Sequence, residues 1–150
     1  MFDFLAQLQD ARSDLLRISI AYVLTAVIGW NREREEHATG IRTFPIVGMA
    51  SCGYLLILGP QTDGAAQSRV LQGLITGIGF VGGGAILKEG ATVKGTATAA
   101  SIWNAGVIGA AVAMNHYLIA VLLAVLNLIA LRALLPLKTR LDRQRKTSRK

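Results

Sequence analysis

Two stretches decide the fold: VLQGLITGIGFVGGGAIL, Val70 to Leu87, and TATAASIWNAGVIGAAVA, Thr96 to Ala113, separated by the charged break KEGATVKG. Each is apolar enough to enter a bilayer, and each carries small residues at helical spacing. Gly73 and Gly77 form one GxxxG pair, Gly79 and Gly83 a second, and Ala97, Ser101, Ala105, Gly109 and Ala113 recur at every fourth position. In lipid no hydrophobic drive holds helices together, so close backbone approach at small residues supplies much of the attraction. The pattern predicts a Gly-rich central helix pair in an all-α, polytopic membrane protein, with Gly73, Gly77, Gly79, Gly83, Ala97, Ala105 and Gly109 as packing positions.

Composition agrees. The 150 residues are 52% hydrophobic and 17% charged, and the charges cluster, leaving long stretches nearly free of them. The net charge of +7 would suggest nucleic acid in a soluble protein, but its placement between apolar stretches and in the tail points to membrane orientation instead. The single cysteine, Cys52, forms no internal disulfide and reads as a small packing residue. The N-terminus, interrupted by Asp3, Asp10 and Asp14, does not resemble a cleaved signal.

In chain order the pattern predicts about five transmembrane helices. Residues 1–14 form an N-terminal interfacial segment with Phe2, Leu5 and Leu8 on one side. Residues 15–136 form the transmembrane domain, with spans at Leu15–Trp30, Ile41–Leu58, Arg69–Leu87, Thr96–Met114 and Tyr117–Leu135. Thr96 is the expected N-cap of the fourth span. Asn115 and His116 make a tight turn, so spans four and five are antiparallel neighbours. Pro136 ends the fifth, and residues 137–150 form a basic tail. Arg32, Arg34, Arg42, Lys88, Lys94 and the tail fall on one side, against Arg12, Arg17 and Arg69 on the other. The positive-inside rule then puts the N-terminus outside and the C-terminus in the cytoplasm.

That topology gathers Arg32, Glu33, Arg42 and Thr43 into a cytoplasmic polar site. Such a cluster either grips an anionic headgroup or phosphate or is interfacial charge that sets topology. Gln72, Thr98, Ser101 and Asn104 are intramembrane polar groups, and Thr76 and Asn127 resemble them. These either bond across helices or line a polar path. Gly82, Gly83 and Gly84 weaken a helix and suggest a bend or unwound turn. The GxGxxG match at Gly77 to Gly82 lies inside an apolar span, without the strand and the acidic residue of a dinucleotide site. No Asp or Glu lies deep in any span, where cation and proton paths would need one. No catalytic motif, metal-ligand pattern or cofactor fingerprint is present. The expectation is a protein without catalytic residues, metal or cofactor.

Five ordered motifs add a resemblance: Gly29-Trp30-Asn31-Arg32-Glu33, Gly40-Ile41-Arg42-Thr43, Ser68-Arg69, Gly77-Ile78-Gly79-Phe80-Val81-Gly82-Gly83-Gly84, and Gly95 through Trp103. Together they closely resemble the membrane domain of the MgtC/SapB family, over roughly Leu15 to Leu135. The chain looks like the short branch, without the C-terminal soluble domain of longer members. At Ala66 it lacks the acid that many members place three residues before the span-three arginine. The resemblance implies a bacterial inner-membrane protein linked to adaptation to low magnesium, host stress and virulence. In some members it implies restraint of the F-type ATP synthase.

Two functional readings follow. One is a non-enzymatic regulator acting by helix contacts, as a homodimer or with a membrane partner such as the ATP synthase. The other is a small ion or solute transporter or channel, magnesium-linked, lined by Gln72, Asn104 and the glycine bend. Expected partners are membrane lipids and a second copy, not nucleic acid. A weaker third reading is lipid binding by the basic tail.

Overall fold

A computed structural model describes residues 2–33, 40–59, 62–90 and 92–133, with side chains of the first helix described from Asp10 onward. Five helices follow in order: α1 (Phe2–Glu33), α2 (Thr43–Leu58), α3 (Gly64–Gly84), α4 (Thr96–Ala113) and α5 (Tyr117–Ala133). A two-stranded hairpin, β1 (Leu87–Glu89) and β2 (Thr92–Lys94), joins α3 to α4. The interfacial segment expected over residues 1–14 is no separate helix, since α1 runs unbroken into the first span. The basic tail, Pro136 and the loop residues Arg34–Thr39 lie outside the described residues.

Helix α4 is the axis of the bundle. Eleven of its 18 residues are buried, and each of the other four helices packs on it. Its principal partner, however, is α2 and not α3, which corrects the central pair expected from the glycine pattern. The reason is where the small residues point. A Cβ at Gly109 would strike the carbonyl oxygen of Gly48 and come within 3.0 Å of Ser51 Cβ, both on α2. A Cβ at Gly48 would come within 2.6 Å of Thr25 Oγ1 on α1. Thr25, Gly48 and Gly109 therefore make a node at which the α2 and α4 backbones approach closely and the Thr25 side chain of α1 fills the space beside Gly48. Thr25 satisfies its hydroxyl locally, donating to Ala21 O at 2.6 Å, so burying it there leaves no orphan donor.

Helix α3 packs on α4 through an edge of larger residues. Val70 and Leu74 are half-buried, and Ile78 is buried and fits against Gly106 of α4. Gly82 lies against the Ala99 carbonyl, where a Cβ would come within 3.2 Å. Gly73, Gly77, Gly79 and Gly83 fall off this edge, and a Cβ on any of them would meet nothing within 4 Å. The α3–α4 contact thus rests on a knob, Ile78, set at Gly106, rather than on the two GxxxG pairs.

The helix boundaries follow local chemistry. Asp63 caps α3, its side chain accepting from Ala65 N at 3.3 Å, so the helix starts earlier than the apolar pattern suggested. The helix continues through Gly82–Gly84 and stops there, with Ala85 N and Ile86 N bonded back to the carbonyls of Gly82 and Gly83 at 3.1 Å. The expected glycine bend is a helix end. The hairpin that follows was read from sequence only as a charged break. Gly90 turns it with φ +60°, and Leu87, Lys88 and Glu89 pair with Lys94, Val93 and Thr92. Gly95, not Thr96, is the N-cap of α4, at φ +85°. A side chain there would collide with the Ala85 carbonyl oxygen, so that sharp return requires glycine.

At its other end α4 closes in a Schellman motif. His116 N bonds to Ala111 O at 2.8 Å and Asn115 N to Val112 O at 3.1 Å, with Asn115 left-handed at φ 61°. This turn makes α4 and α5 antiparallel neighbours, as the sequence predicts.

Two helices are long and apolar enough to cross a membrane, α1 over Asp10–Glu33 and α4 over Thr96–Ala113, while α2 and α5 are shorter apolar helices. The outer surface is more apolar than that of a water-soluble bundle. Ile57 and Phe80 are 84% and 85% exposed, and α5 turns Leu118, Leu122 and Leu126 outward. Thr25, Asn31, Arg32, Ser51, Thr98 and Ser101 are buried. An apolar exterior around a mainly apolar core that also holds these polar groups suits a bilayer as solvent.

Candidate functional site

The polar side chains converge at one end of the bundle, where α1 and α5 stop and α4 starts. Helix periodicity divides neighbours here. Residues 32 and 33 stand about 100° apart around α1, so Arg32 turns inward and Glu33 outward. Arg32 is 3% exposed and lines a cavity of about 560 Å³ between α4 and α5. Glu33 is exposed and its Oε2 accepts from Ile41 N at 3.2 Å. It also occupies the space a side chain at Gly40 would need. Glu33 is therefore a clasp between the end of α1 and the start of α2. Arg42 is exposed and Thr43 half-buried at the start of α2, and neither lines the cavity. The structure thus separates Arg32 from Glu33, Arg42 and Thr43, which the sequence had grouped.

The cavity is built mainly on the first two turns of α4. Gly95, Thr96 and Thr98 form its head beside Arg32 and Val93, and Ser101 and Asn104 continue along its length. Leu123, Leu126, Asn127, Ala130 and Leu131 of α5 form the opposite wall. The helices are stitched across it. Ser101 Oγ donates to Asn127 Oδ1 at 2.9 Å, and Asn104 Nδ2 donates to the Leu123 carbonyl at 3.2 Å. Near the head, Arg132 Nε donates to Asn31 Oδ1 at 2.7 Å, tying the end of α5 to the end of α1. Among the described residues, Thr98 Oγ1 and Asn127 Nδ2 are buried and have no hydrogen-bond partner.

Of the intramembrane polar residues expected from sequence, Thr98, Ser101 and Asn104 thus share this cavity. Gln72 does not. It is exposed on α3, where its carbonyl oxygen accepts from Thr76 Oγ1 at 2.9 Å. A single path lined by Gln72, Asn104 and the glycine triplet is not formed. Asn31, which the sequence reading left without a role, joins the polar end through Arg132. Its signal was adjacency to Arg32 at a span end.

A second groove, about 600 Å³, lies between α2 and α3. Ile46, Ala50 and Tyr54 line one side and Gly73, Gly77 and Val81 the other. Among the described residues there is no group of His, Cys, Asp and Glu that could hold a metal ion.

The MgtC family model matches residues 18–140, a range that takes in every element described except the start of α1. The chain belongs to the MgtC family. Among curated relatives, the uncharacterized protein slr0014 of Synechocystis sp. is 34% identical over 130 residues, covering 87% of this chain and 56% of that protein. YhiD of Escherichia coli K12, by name a candidate magnesium transporter, is 29% identical over 135 residues, covering 85% and 63%. Protein MgtC of Brucella abortus is 32% identical over 89 residues, covering 59% of this chain and 37% of that protein. This MgtC family chain therefore spans about 56–63% of the length of the first two relatives. No solved structure matches. The family makes the chain a membrane protein, in keeping with its two membrane-length apolar helices.

Proposed function

We propose that this MgtC family protein is a non-enzymatic regulator in the bacterial inner membrane, acting by helix contacts in adaptation to low magnesium or host stress. Its five helices cross the bilayer with the N-terminus outside and the C-terminus in the cytoplasm, following the bias of Lys and Arg in the sequence. α2 and α5, at 16 and 17 residues, are near the lower limit for a span.

One observation carries the reading. Gly73 and Gly77 open onto an apolar groove that no part of the described chain fills, although their backbone is bare enough for a helix to approach. In lipid, that arrangement favours a second transmembrane helix. A second copy of this chain is the occupant we favour, making a homodimer. A partner such as the F-type ATP synthase is the alternative that the family resemblance suggests. The test is Gly77→Leu in the full chain, read by in-membrane cross-linking and by growth in limiting magnesium. Loss of the self-adduct and of the growth phenotype, with folding retained, is expected. Unchanged adduct and growth would overturn the reading.

The cavity between α4 and α5 favours a second reading, solute passage past Ser101 and Asn104. It would show as flux into sealed proteoliposomes that Asn104→Leu abolishes.

A further inference from the structure

One face of α3 meets no other element among the described residues. Successive helical residues turn by about 100°, so Gly73, Thr76, Phe80 and Gly83 fall in one row, opposite Ile78, which fits against α4. All four are exposed, Phe80 to 85%, and their alternating spacing of three and four is that of a helix seam. Gln72 flanks the row. It is exposed too, and its carboxamide has no hydrogen-bond partner among the described residues, since the bond from Thr76 Oγ1 goes to its backbone carbonyl. The 21 residues of α3 make about 31 Å of helix, and Gln72 lies about 12 Å from its amino end. On the five-span topology proposed above, that depth is inside the hydrocarbon, where a carboxamide facing lipid is costly.

The other flank of the row borders the α2–α3 groove at Gly73 and Gly77. Tyr54 stands on the facing wall, 58% exposed, and its hydroxyl likewise has no partner among the described residues. Ser51 and Ile78 meet at Gly106. Counted from that level toward the same end of the bundle, Tyr54 and Gln72 differ in depth by about 4–5 Å, within reach of two long side chains. We propose that α3 pairs in parallel with α3 of a second copy, about a two-fold axis along the membrane normal, and that Gln72 of each copy bonds to Tyr54 of the other. In a parallel pair, each helix lays one flank of its seam over the opposite flank of its partner. The Gln72 flank of one α3 then covers Gly73 and Gly77 of the other at the mouth of its groove, and the symmetry makes the contact twice. Carboxamide and phenol each donate and accept, so pairing takes both out of lipid. Phe80 is the knob, set against the small residues Thr76 and Gly83 of the second copy. An acyl chain would fill the groove but leave the carboxamide unanswered. The proposal deepens the dimer reading above and rests on it.

The test uses the full chain in phosphatidylethanolamine–phosphatidylglycerol liposomes, with Cys52→Ala removing the native thiol. Thr76→Cys and Phe80→Cys probe the row, Ala50→Cys probes the far wall of the groove, and Ile75→Cys and Leu118→Cys are exposed controls off the row. On oxidation we expect disulfide-linked dimers from Thr76→Cys and Phe80→Cys, and none from the two controls. Dimer affinity is read by energy transfer between dye-labelled copies as lipid is added. It should fall about tenfold in Gln72→Met, the loss of two interhelical bonds of ordinary membrane strength. Tyr54→Phe should match it, and the double variant should lose no more, the mark of a shared bond. Both side chains are exposed, so neither change disturbs the packing of the single chain. Adducts from Ala50→Cys without any from Thr76→Cys or Phe80→Cys would keep a dimer through the groove and overturn the α3 pairing. Full affinity in Gln72→Met, or additive losses in the double variant, would overturn the bond to Tyr54. A wild-type chain that is monomeric at every lipid ratio would overturn this proposal and the dimer reading together.

Discussion

Replacing Gly109 by alanine adds one methyl group at the node where α4 meets α2. Its Cβ would strike the Gly48 carbonyl oxygen and lie 3.0 Å from both Gly48 C and Ser51 Cβ, and none of these can swing aside as the tip of a long side chain would. The helices must therefore separate by a substantial fraction of an ångström. Gly48 is itself pressed by Thr25 from α1, so the shift spreads to a third helix. Overpacking of this kind costs about 1–3 kcal/mol, partly offset by the ~1 kcal/mol advantage of alanine over glycine in a helix. Gly79→Ala makes the same chemical change inside α3, off the α2–α3 groove, where nothing lies within 4 Å. Subtracting one variant from the other removes the propensity contribution and leaves the collision. We expect Gly109→Ala to be less stable than Gly79→Ala by about 1–3 kcal/mol, roughly 5- to 150-fold in the unfolding equilibrium. The assay is unfolding in mixed micelles by titrated dodecyl sulfate, followed by the fluorescence of Trp30 and Trp103. A difference under about 0.5 kcal/mol, or one of opposite sign, would refute the claim that α4 packs on α2 through Gly109.

The remaining predictions concern the same unfolding measurement. Gly95→Ala puts a side chain at φ +85° against the Ala85 carbonyl and should cost at least ~1–2 kcal/mol, the left-handed penalty alone; near-neutrality would mean the hairpin does not return as described. Ser101→Ala leaves Asn127 Oδ1 without its donor and should destabilise by about 0.6–1.7 kcal/mol, the range for interhelical bonds in membranes. Lys94→Ala removes an ion pair with Glu89 made at 2.6 Å by two side chains each about 60% exposed; the change should stay under about 1 kcal/mol and shrink further with added salt.

Helix positions were legible in the sequence because long apolar runs bounded by polar turns leave few alternatives. Partner choice was not. Gly73, Gly77, Gly79 and Gly83 form the more conspicuous motif, yet α2 meets α4 at Gly48 and Gly109, where Gly48 sits in no GxxxG repeat. A small residue permits close approach but does not say from which helix, and only the rotation of each helix in the bundle decides. The same limit divided the polar groups. Thr98, Ser101 and Asn104 lie at intervals of three on α4 and share a face, so their grouping was readable. Gln72 lies on a different helix turned outward, and Glu33 parted from Arg32 because adjacent helical residues diverge. The hairpin was missed because its strands are three residues each, too short for alternation to register.

The tight turn at Asn115 bears on how the chain enters its membrane. On the proposed five-span topology, two apolar helices joined by a few residues leave little polar chain to translocate, so α4 and α5 can leave the insertion machinery as one hairpin. Ser101 and Asn104 would then already have their partners on α5 and would not face acyl chains bare. That lowers the cost of inserting α4, which is apolar enough to cross a membrane yet carries two threonines, a serine and an asparagine. On that proposed topology the axis of the bundle would arrive late, with α1, α2 and α3 waiting in the bilayer for a preassembled pair.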